Sequence, residues 1–204
     1  MPKRLKLFVA AWLIGTTGAQ AWLARANNGG DPLTPTLTMK SDLAHREHDI
    51  RWPDGFDPET ADLFAHNEIL VAAPCGRVWA HIVDASAWPQ WYPNAHEVAL
   101  PAGAKALSQG LVFQWKTFGL SIESRVLEYE PERRLGWTGG APNETPGFYH
   151  TWYLSPENDH CRVVTEEVGK GEGAKAFRAQ DEGLMHRGHD LWLACLRWMA
   201  EGPR

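Results

Sequence analysis

The chain has 204 residues, of which 44 % are hydrophobic, and a formal net charge of -5 at pH 7. This length and composition predict one domain with a sizeable core, together with an N-terminal segment. No basic run follows the N-terminus, so a nucleic-acid partner is not expected. Tryptophan is unusually frequent, with 11 residues, which indicates an aromatic core or an aromatic-lined pocket.

Residues 1–26 are typical of a signal peptide. Three basic residues precede an apolar stretch at 7–14, and small-residue cleavage motifs end at Ala21 and Ala26. We therefore expect export to the periplasm or the exterior, with a mature chain that begins after one of these motifs. A membrane anchor is the second choice, although the segment is short of the ~20 apolar residues that cross a bilayer. No stable membrane span is expected after signal removal.

Residues 27–65 are polar, contain proline and show no sustained period, so we predict an extended N-terminal segment along the domain surface. The domain itself is predicted at 66–204. It should begin with a strand at Glu68–Ala72 and a helix at Pro74–Asp84. Alternating apolar residues and turn signals then predict six strands of an antiparallel meander: His96–Leu100, Leu111–Phe118, Leu120–Tyr129, Arg134–Thr138, Phe148–Leu154 and Arg162–Val168.

The last stretch, Gly173–Ala200, is predicted to be one long amphipathic helix. Its apolar stripe comprises six residues: Phe177, Leu184, Leu191, Trp192, Cys195 and Met199. Gly188 interrupts this stripe, and a glycine inside a helix costs ~1 kcal/mol relative to alanine. Either a strand or side chain packs closely against Gly188, or the helix leaves room there for a ligand.

The three cysteines, Cys75, Cys161 and Cys195, are far apart and have no metal-ligand spacing. We interpret each of them as a small, buried, apolar residue. Cys161 and Cys195 could approach each other, but the sequence cannot establish the ~5.5 Å Cα spacing of a disulfide. We predict three free thiols.

The order of strand, helices, six strands and long helix resembles the START-like or SRPBCC superfamily. The segment APCGRVWAHIVDASAWPQWYPN, at 73–94, carries part of the resemblance, and CRVVTEEVGKG, at 161–171, carries another part. The resemblance implies an α+β helix-grip fold (START or Bet v 1-like), in which a curved antiparallel sheet wraps around the C-terminal helix. Members of the superfamily bind lipids, sterols, polyketides or aromatic compounds, and some catalyse cyclisation or dehydration.

The expected function is therefore binding, and possible carriage, of a hydrophobic or aromatic small molecule or lipid, with the protein as a monomer. Strand alternation and the helical stripe give the predicted ligand-binding residues: Phe113, Trp115, Trp137, His150, Trp152, Leu184 and Gly188. The alternative is a polyketide cyclase or dehydratase-like enzyme that uses His150 and Glu167. An enzyme should place His150 within hydrogen-bond reach of a carboxylate, whereas a carrier should have a largely apolar pocket.

The other interpretations of these polar residues are structural. His150 could be a core histidine with a backbone or carboxylate partner, and Glu167 needs a partner if it faces inward. His186 and His189 have i, i+3 spacing but lie off the predicted stripe. We therefore interpret them as residues on a solvent-exposed face of the helix and not as metal ligands. No metal site and no cofactor are predicted.

Overall fold

The computed structural model describes residues 38–202; the predicted signal peptide and the start of the N-terminal segment lie outside this range. Seven strands form one sheet. They are β1 (Leu63–Val71), β2 (His96–Ala99), β3 (Val112–Thr117), β4 (Leu120–Glu130), β5 (Arg134–Gly140), β6 (Phe148–Glu157) and β7 (His160–Gly169). The helices are α1 (Met39–His45), α2 (Cys75–Val83), α3 (Trp88–Trp91), α4 (Gly171–Gln180) and α5 (Leu184–Glu201).

The sheet is antiparallel throughout, in the order β1-β7-β6-β5-β4-β3-β2. Strands β2 to β7 form the predicted meander, and β1 closes the sheet by pairing with the last strand. The α+β helix-grip fold is confirmed. Strand β1 begins at Leu63, earlier than the predicted Glu68, because the apolar run before His66 continues the same ladder with β7.

The concave face of the sheet encloses an aromatic core around Trp88, the first residue of α3. The Trp88 side chain is fully buried, and its indole N–H donates to the carbonyl of Ile82 at 3.0 Å. Its ring lies 5.2–6.0 Å, centroid to centroid, from four other aromatic rings: Phe113, Trp115, Trp137 and Trp192. Much of the high tryptophan content thus lies in one cluster between the sheet and α5.

The segment that precedes β1 covers the convex face of the sheet. Ile50 packs with Tyr153 and Val164, and the Trp52 ring lies 5.9 Å from the ring of Tyr149. Beneath this segment Glu166 is fully buried. Its carboxylate accepts from the backbone N–H of Glu47 at 2.6 Å and contacts His66 Nδ1 at 2.6 Å. The described part of the segment therefore forms a second hydrophobic layer.

The predicted single C-terminal helix is wrong, because Asp181–Gly183 separates α4 from α5. Within α5 itself the buried face is shifted by about one residue from the predicted stripe, so Leu191 and Met199 of that stripe are exposed. The buried face of α5 instead comprises Met185, Gly188, His189, Trp192, Leu193, Leu196 and Ala200.

The prediction of three free thiols is also wrong. Cys75 at the start of α2 and Cys161 in β7 form a disulfide, with Cα atoms 5.0 Å apart. The register of β1 places Val71 opposite Cys161, and the short turn after β1 brings Cys75 back over the start of β7. Cys195 is the free cysteine.

Within the described range, no helix is long and apolar enough to cross a membrane.

Candidate functional site

A cleft lies between the concave face of the sheet and helices α4 and α5. Its free volume is about 50 Å³, and aromatic rings make its inner part narrow. Aromatic and aliphatic side chains dominate the lining. The lining residues are Tyr92, Trp115, Thr117, Phe118, Leu120, Ile122, Ser124, Trp137, Gly139, Phe148, His150, Glu167, Phe177, Met185, His189 and Trp192.

Aromatic side chains determine the shape of the cleft. At the mouth, the Phe118 ring meets the Phe177 ring edge to face, with centroids 5.2 Å apart. Deeper in the cleft, Tyr92 stacks on Trp192 at 4.4 Å with an interplanar angle of 6°. The half-buried rings at the mouth and the buried rings inside give an apolar path from solvent to the interior.

Three polar side chains meet inside this apolar lining. Strand alternation on β6 and β7 points His150 and Glu167 into the cleft, and α5 contributes His189. The Oε2 atom of Glu167 lies 3.4 Å from His150 Nδ1 and 3.1 Å from His189 Nε2. Both histidines are buried, with exposed side-chain fractions of 5 % and 2 %, whereas that of Glu167 is 13 %.

Thr165 orients the ring of His150. The Thr165 hydroxyl donates to the carbonyl of Thr151 at 3.0 Å, so its oxygen is left to accept from His150 Nε2–H at 2.7 Å. The neutral ring then carries its lone pair on Nδ1, the atom that faces Glu167. Burial, followed by the neighbouring His189, holds the pKa of His150 well below its usual value, so this contact is not an ion pair at neutral pH.

Asn67 orients His189 in the same way. The Asn67 amide nitrogen donates to the carbonyl of His186 at 3.0 Å and to the carboxylate of Asp190 at 2.8 Å. Its oxygen is therefore the acceptor for His189 Nδ1–H at 3.2 Å. The other ring nitrogen, Nε2, then faces Glu167 Oε2 at 3.1 Å.

Two imidazole nitrogens thus converge on one carboxylate oxygen. Three such atoms in contact are stable only when a hydrogen or a cation lies among them. The centre formed by His150, Glu167 and His189 can therefore hold a proton, receive a donor group of a bound molecule, or bind a metal ion.

Of the predicted ligand-binding residues, the structure places Trp115, Trp137 and His150 in the cleft lining. Phe113 and Trp152 are buried in the adjoining core, and Leu184 is the half-buried first residue of α5. None of the seven is tested as a ligand contact, so their role stays a prediction. Glu167 and His150 lie within reach of each other in the cleft, the arrangement expected of an enzyme.

Open space for a ligand at Gly188, one of the two predicted alternatives, is absent. A Cβ atom added to Gly188 would lie 2.4 Å from Cζ of Phe118, so the aromatic ring packs directly on the helix backbone. The backbone N–H of Phe118 donates to the side-chain oxygen of Asn94 at 3.0 Å, which ties this turn to the loop after α3. Close packing is the correct interpretation of this glycine.

Replacing Gly188 with leucine is therefore expected to destabilise the fold. Overpacking costs ~1–3 kcal/mol, and the better helix propensity of leucine offsets up to ~1 kcal/mol of this loss. Thermal melts of the wild type and Gly188→Leu would measure the difference. In a Phe118→Ala background the same substitution should cost less, because the opposing ring is gone. An equal cost in both backgrounds would contradict the assigned contact.

Three cleft residues, His189, Tyr92 and Phe118, were not predicted from the sequence. The prediction places His189 on a solvated face because its apolar stripe includes Leu191 and Met199, which are exposed. The spacing Met185, Trp192 and Leu196 (i, i+7, i+11) gives the correct phase and places His189 on the buried face. Tyr92 and Phe118 give no comparable signal, because each lies in a short irregular turn.

The fold and the cleft define a helix-grip protein of the SRPBCC superfamily. The sequence model of the family described as polyketide cyclase / dehydrase and lipid transport matches residues 65–187, and the chain belongs to this family. No curated protein matches the chain.

Solved structures show the same fold. The hypothetical protein jhp0584 from Helicobacter pylori is 29 % identical, with 76 % of this chain and 98 % of that chain covered and a TM-score of 0.69. Protein CV1439 from Chromobacterium violaceum is 18 % identical, with 69 % and 98 % covered and a TM-score of 0.52. The protein TTHA0849 from Thermus thermophilus is 17 % identical, with 67 % and 96 % covered and a TM-score of 0.53.

Proposed function

We propose that the protein binds a small, mainly apolar molecule of one or two rings in the cleft, with a polar group of this molecule facing His150, Glu167 and His189. The observation that carries the proposal is a mainly aromatic lining that contains the polar centre of His150, Glu167 and His189. Binding sites for small molecules combine these two features, the apolar walls for affinity and a few polar groups for orientation.

The dimensions of the cleft limit the size of the ligand. The aromatic rings of Trp115, Trp137 and Trp192 line the cleft, and its free volume is about 50 Å³. A cavity of ~150 Å³ is large enough for benzene. A ligand of one or two rings therefore requires the aromatic walls to separate, and a lipid with two acyl chains requires a much larger separation.

A cleft-filling substitution tests binding directly. Ile122, on β4, lines the cleft, and Leu127, on the same strand, is exposed on the other side. Ile122→Trp should weaken binding of a fluorescent apolar probe by about tenfold or more, a loss of ~1.4 kcal/mol. Leu127→Trp should leave the affinity unchanged. Equal probe affinity in the two variants, with both folded by circular dichroism, would contradict binding in the cleft.

The second candidate function is an enzyme of the cyclase or dehydratase type. It is favoured by the lone pair of His150 Nδ1, which lies inside the cleft at 3.4 Å from Glu167 and could accept a proton from a bound molecule. Glu167 would then hold or return this proton. For a dehydration, Glu167→Gln protein purified from its host should retain a molecule heavier by one water than the molecule retained by the wild type.

We also propose that the protein is exported. The basic and apolar pattern of residues 1–26 supports this proposal, as does the disulfide, because such bonds persist mainly in oxidising compartments. The same mass measurement on protein from the host would give the mass of the mature chain. A mass that includes Met1 would contradict cleavage.

A further inference from the structure

We propose that His150, Glu167 and His189 form a binding site for a divalent first-row transition metal ion, for which Zn²⁺ is the test ion. One ligand atom from each residue lies within 4.8 Å of the other two. This site goes beyond the proposed function, since a metal could bind here with or without an apolar molecule in the cleft.

The measured distances fit metal coordination. A tetrahedral ion with bonds of 2.0–2.1 Å to nitrogen and oxygen separates neighbouring ligand atoms by ~3.3 Å. The Oε2 atom of Glu167 lies 3.4 Å from His150 Nδ1 and 3.1 Å from His189 Nε2. Two edges of the coordination polyhedron are therefore already close to their final length, and only small side-chain movements are needed to admit an ion.

The hydrogen bonds around the centre prepare both imidazoles as ligands. The Thr165 hydroxyl holds the proton of His150 on Nε2, and the Asn67 carbonyl oxygen holds the proton of His189 on Nδ1. Each ring thus turns its other nitrogen, the one available to a metal, toward Glu167. Histidine ligands of metals are typically oriented by such an acceptor on the second ring nitrogen, which fixes the tautomer and the ring plane.

The charge balance of the cleft also favours a cation. Glu167 brings one carboxylate into a lining that is mostly apolar, and an ionised group in such surroundings requires a partner. Among the described lining residues none is lysine or arginine. A divalent ion would supply positive charge next to this carboxylate and would bond to all three ligand atoms.

The donor set selects the kind of metal. Two imidazole nitrogens and one carboxylate suit zinc, iron, copper or nickel, whereas magnesium and calcium prefer oxygen ligands alone. Three protein ligands leave a coordination position open, as in catalytic zinc sites. Because the three residues line the cleft, this position is accessible to water or to an oxygen atom of a bound molecule.

The test is a Zn²⁺ titration of the full-length, tag-free protein by calorimetry, after treatment with a chelator. We expect one saturable site per chain. Glu167→Gln, which preserves the shape of the side chain, should weaken Zn²⁺ binding by about a hundredfold. Thr165→Val removes the acceptor for His150, together with the hydroxyl's own bond to the Thr151 carbonyl, and should weaken Zn²⁺ binding by about 10–100-fold, the usual effect of losing such an outer contact.

His160→Ala is the matched control. His160 also pairs with a carboxylate, that of Asp159 at 2.8 Å, but this pair lies on the surface. His160→Ala should bind Zn²⁺ like the wild type. No saturable binding by the wild type, or wild-type affinity in Glu167→Gln, would overturn the proposal. If Glu167→Gln fails to fold by circular dichroism, Thr165→Val provides the test, and wild-type Zn²⁺ affinity in that variant would overturn the proposal. The apolar-probe assay is separate, so failure of one proposal is distinguishable from failure of the other.

Discussion

Loss of the Cys75–Cys161 disulfide should lower the free energy of unfolding by about 4–5 kcal/mol. The bond joins residues 86 positions apart, and cross-linking a loop of this length removes about that much conformational entropy from the unfolded chain at 25 °C. It also ties α2 to the start of β7, so the reduced protein loses a constraint between helix and sheet. Chemical denaturation of Cys75→Ser/Cys161→Ser against the wild type would measure the loss.

A matched control and a thiol titration test the pairing. Cys195→Ser removes the half-buried free cysteine without breaking a bond and should cost much less than the double variant. The unfolded wild type should react at one thiol per chain without reductant and at three after reduction. Three reactive thiols without reductant, in protein never exposed to a reducing agent, would refute the disulfide.

Replacing Trp88 with alanine should cost about 3–5 kcal/mol, the range for deleting a large buried aromatic side chain. Its ring contacts four other aromatic rings between the sheet and α5, and its N–H is bonded to the Ile82 carbonyl. Trp88→Phe should cost less, because it keeps much of the buried area and loses the hydrogen bond. Thermal and urea unfolding would measure both.

Trp198 provides the comparison for Trp88. Its side chain is on α5 but is 71 % exposed, so Trp198→Ala should change stability by no more than about 0.5 kcal/mol. Similar losses for Trp88→Ala and Trp198→Ala would contradict the assignment of Trp88 to the centre of the core.

The strands could be predicted from the sequence because the patterns that mark them lie within each strand and its adjoining turns. Alternation along Phe148, His150 and Trp152 identifies the concave face without knowledge of the neighbouring strands, and turn residues mark the strand ends. The same rule assigns Glu167 to the cleft. It does not reveal that Glu166 is also buried, because the layer over the convex face comes from a distant segment with no periodic pattern.

The errors concern features that depend on tertiary structure. The C-terminal helix has apolar residues on two neighbouring faces, and only its contact with the sheet decides that Met185, Leu193 and Leu196, and with them His189, are buried while Leu191 and Met199 are exposed. The disulfide depends on the β1–β7 register, and the close packing of Gly188 depends on a turn that brings Phe118 over α5. Neither arrangement leaves a periodic signal in the sequence.

The layer formed by Ile50 and Trp52 determines how this protein can be divided experimentally. The family match covers only 65–187, so a fragment cut at those limits would expose Tyr153 and Val164 on a bare sheet, a surface prone to self-association. The same fragment would end one residue before Gly188 and lack most of α5, including His189. A fragment cut at the limits of the family match would thus lack one wall of the cleft. A binding assay on such a fragment would give a negative result for any ligand.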